Sequence, residues 1–389
     1  ETVYQGGSMM LAVGLMSGTS LDGVDAVLCE ITGKDETTTV KQLHFKTYEI
    51  PENLRNKIRK CCSRECIPVD LICSLNFELG YLFAEAVKSL CQDAHVALED
   101  LSFIASHGQT IFHIPKAYAD YVPSTLQIGE AAIIANECKT TVISNFRVMD
   151  MAVGGEGAPL VPYSEYLLYS RSQESVALQN IGGIGNVTVL PKKGDNKQVI
   201  AFDTGPGNMM IDEAVRQLHG EKYDKGGFFA RQGQIIPSLA AELTNHPYFQ
   251  MDIPKTTGRE MFGEHFTKTI LERYNSEEPN DIIHTFTWFT AYSIAFHYKK
   301  YLVDAYKLKN CIVGGGGAYN SFLLELIQKE MPDIEVSTQE SLGYSSDAKE
   351  AIAFVVLGNQ TYHKRPSNVP SATGASKSVI LGQLTYPTL

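Results

Sequence analysis

The stretch that decides the fold is "LAVGLMSGTSLDGVDAVLCEI", residues 11–31. Apolar residues run as far as Met16, the polar turn "SGTSLDG" (17–23) interrupts them, and a second apolar run starts at Val24. Strand-type residues on both sides of a short glycine-containing turn make a β-hairpin. A G-x-x-x-x-G-K-[ST] phosphate loop needs a lysine and a following helix, and a dinucleotide fingerprint needs the helix as well, so both readings fail here. What remains is a hairpin tip whose backbone N–H groups and hydroxyls (Ser17, Thr19, Ser20) can face an anion, with Asp22 or Asp25 able to hold a magnesium-bound water. A plain turn with capping hydroxyls accounts for the same letters, since "SG" and "DG" are ordinary turn pairs.

Three companions favour a ligand. "NIGGIGN" (180–186) is a second strand, glycine turn and strand. "FDTGPGN" (202–208) ends a buried strand on Asp203 and enters a helix through Gly-Pro-Gly; the helix N-terminus favours an anion, and Pro206 suits its first turn. "VGGGGAYN" (313–320) strips side chains from a strand-to-helix turn, so that a flat group can approach the backbone. Four glycine-rich turns at strand ends point to one shared ligand, and ATP has the right mixture of parts. An aspartate capping the nearby helix is the plainer role for Asp203.

The elements around these turns recur in order. The first half reads as strands at 11–16, 24–31 and 39–50, a short helix opened by Pro51, a helix at 69–94, a strand at 101–110, a helix at 129–139 and a strand at 140–147. The second half reads as two strands within 175–190, a strand at 198–207 and a helix at 208–220. It continues with a long helix at 282–306 that lines up Ile282, Phe286, Phe289 and Phe296. A strand running into the glycines at 310–320, a helix at 320–330 and a strand at 333–338 follow, and a helix at 346–358 capped by Ser346 closes the pattern. The repetition predicts duplicated α/β domains facing one another across a cleft. Residues 10–145 form the first and take back 346–365; residues 146–345 form the second. The serine- and proline-containing tail, 365–378, reads as loosely ordered.

At 389 residues the chain exceeds one ordinary core, and 44% apolar with 20% charged residues describes a globular protein. A net charge of −11 argues against nucleic acid or an anionic membrane as partner. The longest apolar run, 286–296, is broken by threonine and serine and is too short to span a bilayer. The N-terminus lacks a basic region followed by an apolar core, so it is no secretory signal and reads as an appended segment ahead of Met9 or Met10. Cys61, Cys62, Cys66 and Cys73 cluster without a second pair or nearby histidines, which argues against zinc and for reduced thiols in the cytoplasm.

Together "GLMSGTSLDGVDAVL", "SHGQT", "GGEGAPLVPYSEYLL", "NIGGIGNVTVL", "FDTGPGN", "TGREMFG" and "VGGGGAYN" resemble the anhydro-N-acetylmuramic acid kinase family from about residue 11 to 360. That family lies within the superfamily of acetate and sugar kinases, heat-shock chaperone ATPases and actin. The resemblance implies two actin-like, ribonuclease H-like α/β domains around a central cleft, binding ATP and Mg2+. It implies phosphorylation of 1,6-anhydro-N-acetylmuramic acid with opening of the anhydro bridge by water, in cell-wall recycling, by a cytoplasmic homodimer.

By the same resemblance, Gly18, Thr19, Ser20, Leu21, Asp22, Gly23, Val24 and Asp25 form the ATP-phosphate loop. Gly182 and Gly183 form the second phosphate turn, and Gly315, Gly316 and Gly317 the adenosine turn. The anhydro sugar has no free 6-hydroxyl, so the base must take its proton from water, and Asp203 matches that role. Ser17 stands where the superfamily often keeps a magnesium-binding acid, which leaves Asp22 and Asp203, through water, as metal contacts. For the sugar the candidates are His107, Gln109 and Arg147, the last facing the lactyl carboxylate. Arg259 and Glu260 are further candidates, and Glu156 stands where glutamine is expected in relatives. One rival is a kinase of this fold acting on another sugar or small carboxylic acid. A second is a nucleotide-switched binding protein, which would need an appended domain or insertion. A third, a catalytically dead relative, is disfavoured by the intact Asp203 and phosphate turns.

Overall fold

The hairpin is the start of a mixed sheet, built on β1 (Met10–Ser17), β2 (Val24–Thr32), β3 (Thr39–Tyr48), β4 (Leu101–Ile114), β5 (Ser124–Ile128) and β6 (Val142–Ser144). The structure, a computed structural model, describes residues 8–18, 21, 23–63, 67–170, 173–195, 197, 199–255 and 257–388, the side chains of Arg259 and Glu260 excepted. Strand β1 pairs antiparallel with β2, β2 antiparallel with β3, and β1 parallel with β4, which runs parallel to β6. The five main strands lie in the order β3-β2-β1-β4-β6, which is 3-2-1-4-5 when β5, a strand off this path that pairs with β4, is left out of the count.

The second sheet repeats this arrangement with β7 (Val176–Ile181), β8 (Ile184–Leu190), β9 (Ile200–Pro206), β10 (Asn310–Gly314) and β11 (Glu335–Thr338). Its spatial order is β9-β8-β7-β10-β11, with the β7–β8 and β8–β9 pairs antiparallel and the β7–β10 and β10–β11 pairs parallel. Five strands in the order 3-2-1-4-5, the second running against the rest, make a ribonuclease H-like domain of the actin-like kind, and the chain contains it twice. The last strand, β12 (Gln383–Thr385), returns to the first sheet beside β6.

Alternation along the strands puts a core on each face of the first sheet. Val13, Leu15 and Leu28 pack with Leu79, Phe83, Val87 and Ile134 from the helices Val69–Asp93 and Ala131–Cys138. Ala12, Val27 and Cys29 face Phe354 and Val355 of the helix Lys349–Tyr362. In the second unit the helix Pro279–His297 touches two cores: Ala291 and Ile294 pack against the sheet, while Phe286 and Phe289 pack with the helix Met209–His219. Ile282, Phe286 and Phe289 are buried as the spacing predicts, and Phe296 is partly buried beside them.

The units divide after Leu168 and again before Gly343. The sequence places the first boundary at 145/146; residues 146–168 stay with the first unit because Phe146, Leu160 and Leu167 share a core with Phe354. The tail is ordered, contrary to expectation. Ser367 and Leu381 are fully buried, and Asn368 and Thr373 both donate to Oδ1 of the buried Asp150, at 2.8 and 2.7 Å. Ser346 does not cap the closing helix, which starts at Lys349 behind Ala348. The expected helix 282–306 passes through a wide turn at Tyr298–Leu302. Strands β5 and β12 have no counterpart in the sequence reading. The described cysteines are free thiols.

Gly14 shows how tightly the closing helix seats on β1. A Cβ there would overlap the carbonyl oxygen of Ala351 and stand 2.8 Å from Val355 Cγ2. Backbone cannot move aside as a side-chain end does, so Gly14→Ala is expected to destabilise the protein by about 3 kcal/mol in urea unfolding. A loss under about 0.5 kcal/mol would show that the helix is not anchored there.

Candidate active site

In the first unit β1 ends on a buried brace. Ser17 donates its Oγ hydrogen to Oε1 of Gln109 at 2.6 Å, across the parallel β1–β4 pairing that sets these residues side by side. Gln109 is fully buried, and its Nε2 donates to the Thr110 carbonyl at 3.2 Å. The Ser17 hydroxyl hydrogen therefore joins two strands, not an anion. Beyond it, the Leu21 amide closes a turn on the Gly18 carbonyl at 3.2 Å, with Leu21 buried at a left-handed φ of 59°. Gly23 has no room for a side chain, because a Cβ would overlap the Thr47 methyl. Val24 points into the core, and Asp25 accepts from Thr47 Oγ at 2.6 Å. Thr19, Ser20 and Asp22 lie outside the described residues. Beside the turn, Leu21, Gln109, His113 and Lys116 help line a cavity of about 590 Å³.

Further along β4, His107 and Arg147 form a pair. Nδ1 of His107 lies 2.8 Å from the Gly108 carbonyl, which only accepts, so Nδ1 carries the hydrogen. Nε2 is then an acceptor and takes two hydrogens from Arg147, from Nε at 3.1 Å and Nη2 at 2.9 Å. Burial and the adjacent guanidinium hold the imidazole neutral, its pKa lowered to about 3. Arg147 gives its Nη1 hydrogen to the Gly157 carbonyl at 2.8 Å. Among the described residues no carboxylate forms an ion pair with it, while burial opposes its charge and the Glu350 carboxylate nearby favours it. Glu156 is half-buried and pairs with Lys116 at 3.2 Å. The backbone of Arg259 and Glu260 opens the short helix Arg259–Phe262, in the second unit.

Within that second unit, strand register builds a polar row: Gly314 pairs with Asn180, Asn180 with Asn186, and Asn186 with Asp203. Paired residues share a face, so Asn180, Asn186 and Asp203 point to the same side of the sheet. The Thr257 amide donates to Oδ2 of Asp203 at 2.8 Å, while Oδ1 has no partner among the described residues. Burial raises the Asp203 pKa, opposed by that amide. The Asp203 backbone is also tied down: its amide donates to the Lys255 carbonyl at 2.9 Å, and Tyr248 donates its hydroxyl hydrogen to the Asp203 carbonyl. Lys255 is buried, donates to the Tyr248 and Met251 carbonyls at 2.8 and 3.1 Å, and has its pKa lowered to about 8 by burial and Lys300. Nothing in the sequence singles out Tyr248 or Lys255, and Asn180 and Asn186 enter there only as the ends of the "NIGGIGN" turn; their link to Asp203 needs the strand register.

The glycines sort into two kinds. Gly207 is required by packing, since a Cβ would overlap the Gly182 carbonyl oxygen. Gly315 takes a φ of 81° and lies against Asn180 and Ile181, and Gly317 packs on Ile181. By contrast a Cβ at Gly182 or Gly183 would meet nothing closer than 3.8 Å, and one at Gly316 only Asn208 Nδ2 at 3.7 Å. These three leave bare backbone where packing does not demand it. The helix Met209–His219 corrects one expectation: the amides of Gly207, Asn208 and Met209 donate to the carbonyls of Gly183 and Gly182, so those N–H groups hold the turn and not an anion. Asp203 does not cap that helix, whose N-cap position is Asn208. Among the described residues no three His, Cys, Asp or Glu side chains gather as a metal cluster.

A family model described as anhydro-N-acetylmuramic acid kinase matches residues 10–387. The chain belongs to this family. The anhydro-N-acetylmuramic acid kinase of Clostridioides difficile (strain 630) is 55% identical over 376 residues, covering 97% of this chain and 98% of that one. Its namesake in Bacillus cereus (strain AH187) is 52% identical over 382 residues, with 98% and 100% coverage. Among solved structures, the activator of 2-hydroxyisocaproyl-CoA dehydratase from Clostridium difficile with bound ADPNP has a TM-score of 0.43 at 12% identity, covering 89% of this chain and 93% of that one. A ROK family glucokinase from Streptomyces griseus has a TM-score of 0.34 at 11% identity, covering 89% and 98%. The fold assignment rests on the two strand orders and not on these overlaps. In this anhydro-N-acetylmuramic acid kinase family member, no described helix is long and apolar enough to cross a membrane.

Two outcomes follow from the geometry. Gly183→Ala is expected to melt within about 1 °C of the parent, whereas Gly207→Ala loses about 2 kcal/mol or more; equal effects would contradict the sorting. For His107 the folded pKa of about 3 lies below the ordinary 6.5, so between these values the unfolded chain binds the extra proton. Stability from this residue is full above about pH 6.5 and falls toward pH 3 by about 1.4 kcal/mol per unit. His107→Gln should flatten the acid limb of a stability–pH curve by about that slope, and an unchanged slope would exclude a neutral buried His107.

Proposed function

We propose that this chain transfers the γ-phosphoryl group of ATP to O6 of 1,6-anhydro-N-acetylmuramic acid while water opens the anhydro bridge. Water's oxygen bonds to C1, its proton passes to the Asp203 carboxylate, the C1–O6 bond breaks, and O6 takes the phosphoryl group. N-acetylmuramic acid 6-phosphate and ADP are released. The observation that carries this reading is the divided carboxylate of Asp203, with Oδ2 held by the Thr257 amide and Oδ1 open. A base must keep its orientation while one oxygen stays free for the proton, and burial raises its affinity for that proton.

Arg147 suits the lactyl carboxylate, because a guanidinium backed by a neutral imidazole keeps its full charge for a ligand. The bare backbone at Gly182 and Gly183 suits phosphate oxygens, and Gly316 suits the adenosine. Gly18, Leu21 and Gly23 belong to the other phosphate turn. A magnesium ion fits one open carboxylate oxygen, since magnesium keeps most of its waters and takes the rest of its ligands from phosphates. Asp203 would hold it through water, and the ion would offset charge on the transferring phosphoryl group. The protein acts in cell-wall recycling, in the cytoplasm and as a homodimer.

Asp203→Asn tests the base. Coupled ADP release should fall by about a thousandfold or more, roughly 4 kcal/mol, while ATP affinity stays within about threefold. Near-normal turnover would remove Asp203 from the role. In the parent, kcat should fall with acid as Asp203 takes a proton, at a pKa above the ordinary 3.8. Arg147→Ala should raise the KM for the sugar by roughly a hundredfold and leave the KM for ATP nearly unchanged; the reverse pattern would place Arg147 elsewhere.

A further inference from the structure

Asp150 lies in the short helix Val148–Ala152, whose N-cap position is Arg147. Its side chain is wholly shielded from solvent, which is unfavourable for a carboxylate unless donors surround it. Among the described residues its donors are neutral and come from two segments far apart in the chain. The Gly157 amide donates to Oδ2 at 2.9 Å, while the Asn368 amide and the Thr373 hydroxyl donate to Oδ1 at 2.8 and 2.7 Å. The Asp150 carbonyl accepts the Gly155 amide at 2.9 Å, and a Cβ at Gly155 would overlap Oδ2, so the turn 155–157 wraps closely round the carboxylate. The tail is fastened to the same turn, since the Glu156 amide donates to the Thr373 carbonyl at 2.8 Å.

This turn also holds Arg147. Gly157 takes a left-handed φ of 71°, and its carbonyl accepts the Nη1 hydrogen of Arg147 at 2.8 Å. Arginine has one hydrogen on Nε and two on each terminal nitrogen. Nε and Nη2 each give one to His107 and Nη1 gives one to Gly157, which leaves one free on each terminal nitrogen. A pair of hydrogens on the two terminal nitrogens is what a carboxylate meets bidentately. The direction of that pair is set by its two acceptors, Nε2 of His107 and the Gly157 carbonyl. His107 is fixed in the sheet on β4, whereas Gly157 sits in a turn and keeps its place through Asp150.

We propose that Asp150 is a positioning residue for sugar recognition: by gathering the turn 155–157 and the C-terminal segment 368–373 onto one carboxylate, it aims the free hydrogens of Arg147. The proposal rests on the reading of Arg147 as the contact to the lactyl carboxylate. In Asp150→Asn one accepting oxygen replaces two, so the side chain cannot hold both segments. The test is steady-state kinetics of the intact chain with ATP and 1,6-anhydro-N-acetylmuramic acid, comparing Asp150→Asn, Arg147→Ala and the double variant. Asp150→Asn is expected to raise the sugar KM by about tenfold, to leave kcat and the ATP KM within about twofold, and to add nothing in the Arg147→Ala background. General structural damage would move all of these constants and multiply with Arg147→Ala; either result overturns the proposal. Thr373→Val keeps the side-chain shape and removes one donor to Asp150, so it should reproduce the pattern at about threefold. That variant decides the question if Asp150→Asn melts below the assay temperature, and an unchanged sugar KM in it then overturns the proposal. If Arg147→Ala leaves the sugar KM unchanged, the reading of Arg147 fails and the proposal with it. If Arg147→Ala raises it and Asp150→Asn does not, the proposal alone fails.

Discussion

One hydrogen bond, from the Thr257 amide to Oδ2 of Asp203, divides a carboxylate into a held end and an open end. Much of the second unit maintains that division. Asp203 sits on the edge strand β9, where pairing on one side alone would leave its backbone loose. The free side is tied by the Lys255 carbonyl and by the Tyr248 hydroxyl. Lys255 in turn fixes the 248–251 carbonyls and lies over the Tyr248 ring at 4.2 Å. A buried lysine without a carboxylate partner is unfavourable, as its lowered pKa records. Among the described residues it has no ion-pair partner; what it fixes is the segment that presents the Thr257 amide.

The glycine turns obey a related constraint, close approach of backbone to backbone. Gly207 lets the start of the helix Met209–His219 receive the Gly182 and Gly183 carbonyls, and three amides consumed this way lock the turn against the helix. Once the turn is held from behind, its outer face at Gly182, Gly183 and Gly316 needs no side chains for stability. The first unit reaches the same end differently. There the tip of β1 is held by a side-chain brace between Ser17 and Gln109, buried under the hairpin.

Most of the architecture is legible in the sequence because hairpins and amphipathic helices write their periods locally. The "SGTSLDG" and "NIGGIGN" turns mark the first two strands of each sheet, and both lie where the spacing puts them. The elements that escape are those defined by partners far away. Strand β12 is three residues long and exists only because β6 offers an edge. The tail past residue 365 reads as polar and loose, yet Asn368 and Thr373 are drawn in by Asp150, more than 200 residues earlier. Of the candidate residues, Asp203 in the second unit and His107 and Arg147 in the first stand out by motif or resemblance. The pairing of His107 with Arg147, the brace on Ser17 and the Lys255–Tyr248 support are set by tertiary contact, and no local pattern encodes them.

The central claim is that water attacks C1 while O6 takes the phosphoryl group, the step for which Asp203 is the proposed base, so the position of the water oxygen decides it. The measurement is a single turnover of the intact protein with MgATP and 1,6-anhydro-N-acetylmuramic acid in oxygen-18 water, with mass analysis of both products. Heavy oxygen bound at C1 of a 6-phosphorylated sugar, with none in the transferred phosphoryl group, is the predicted result. Heavy oxygen in the phosphoryl group, or ADP released at the same rate without the sugar, would contradict it.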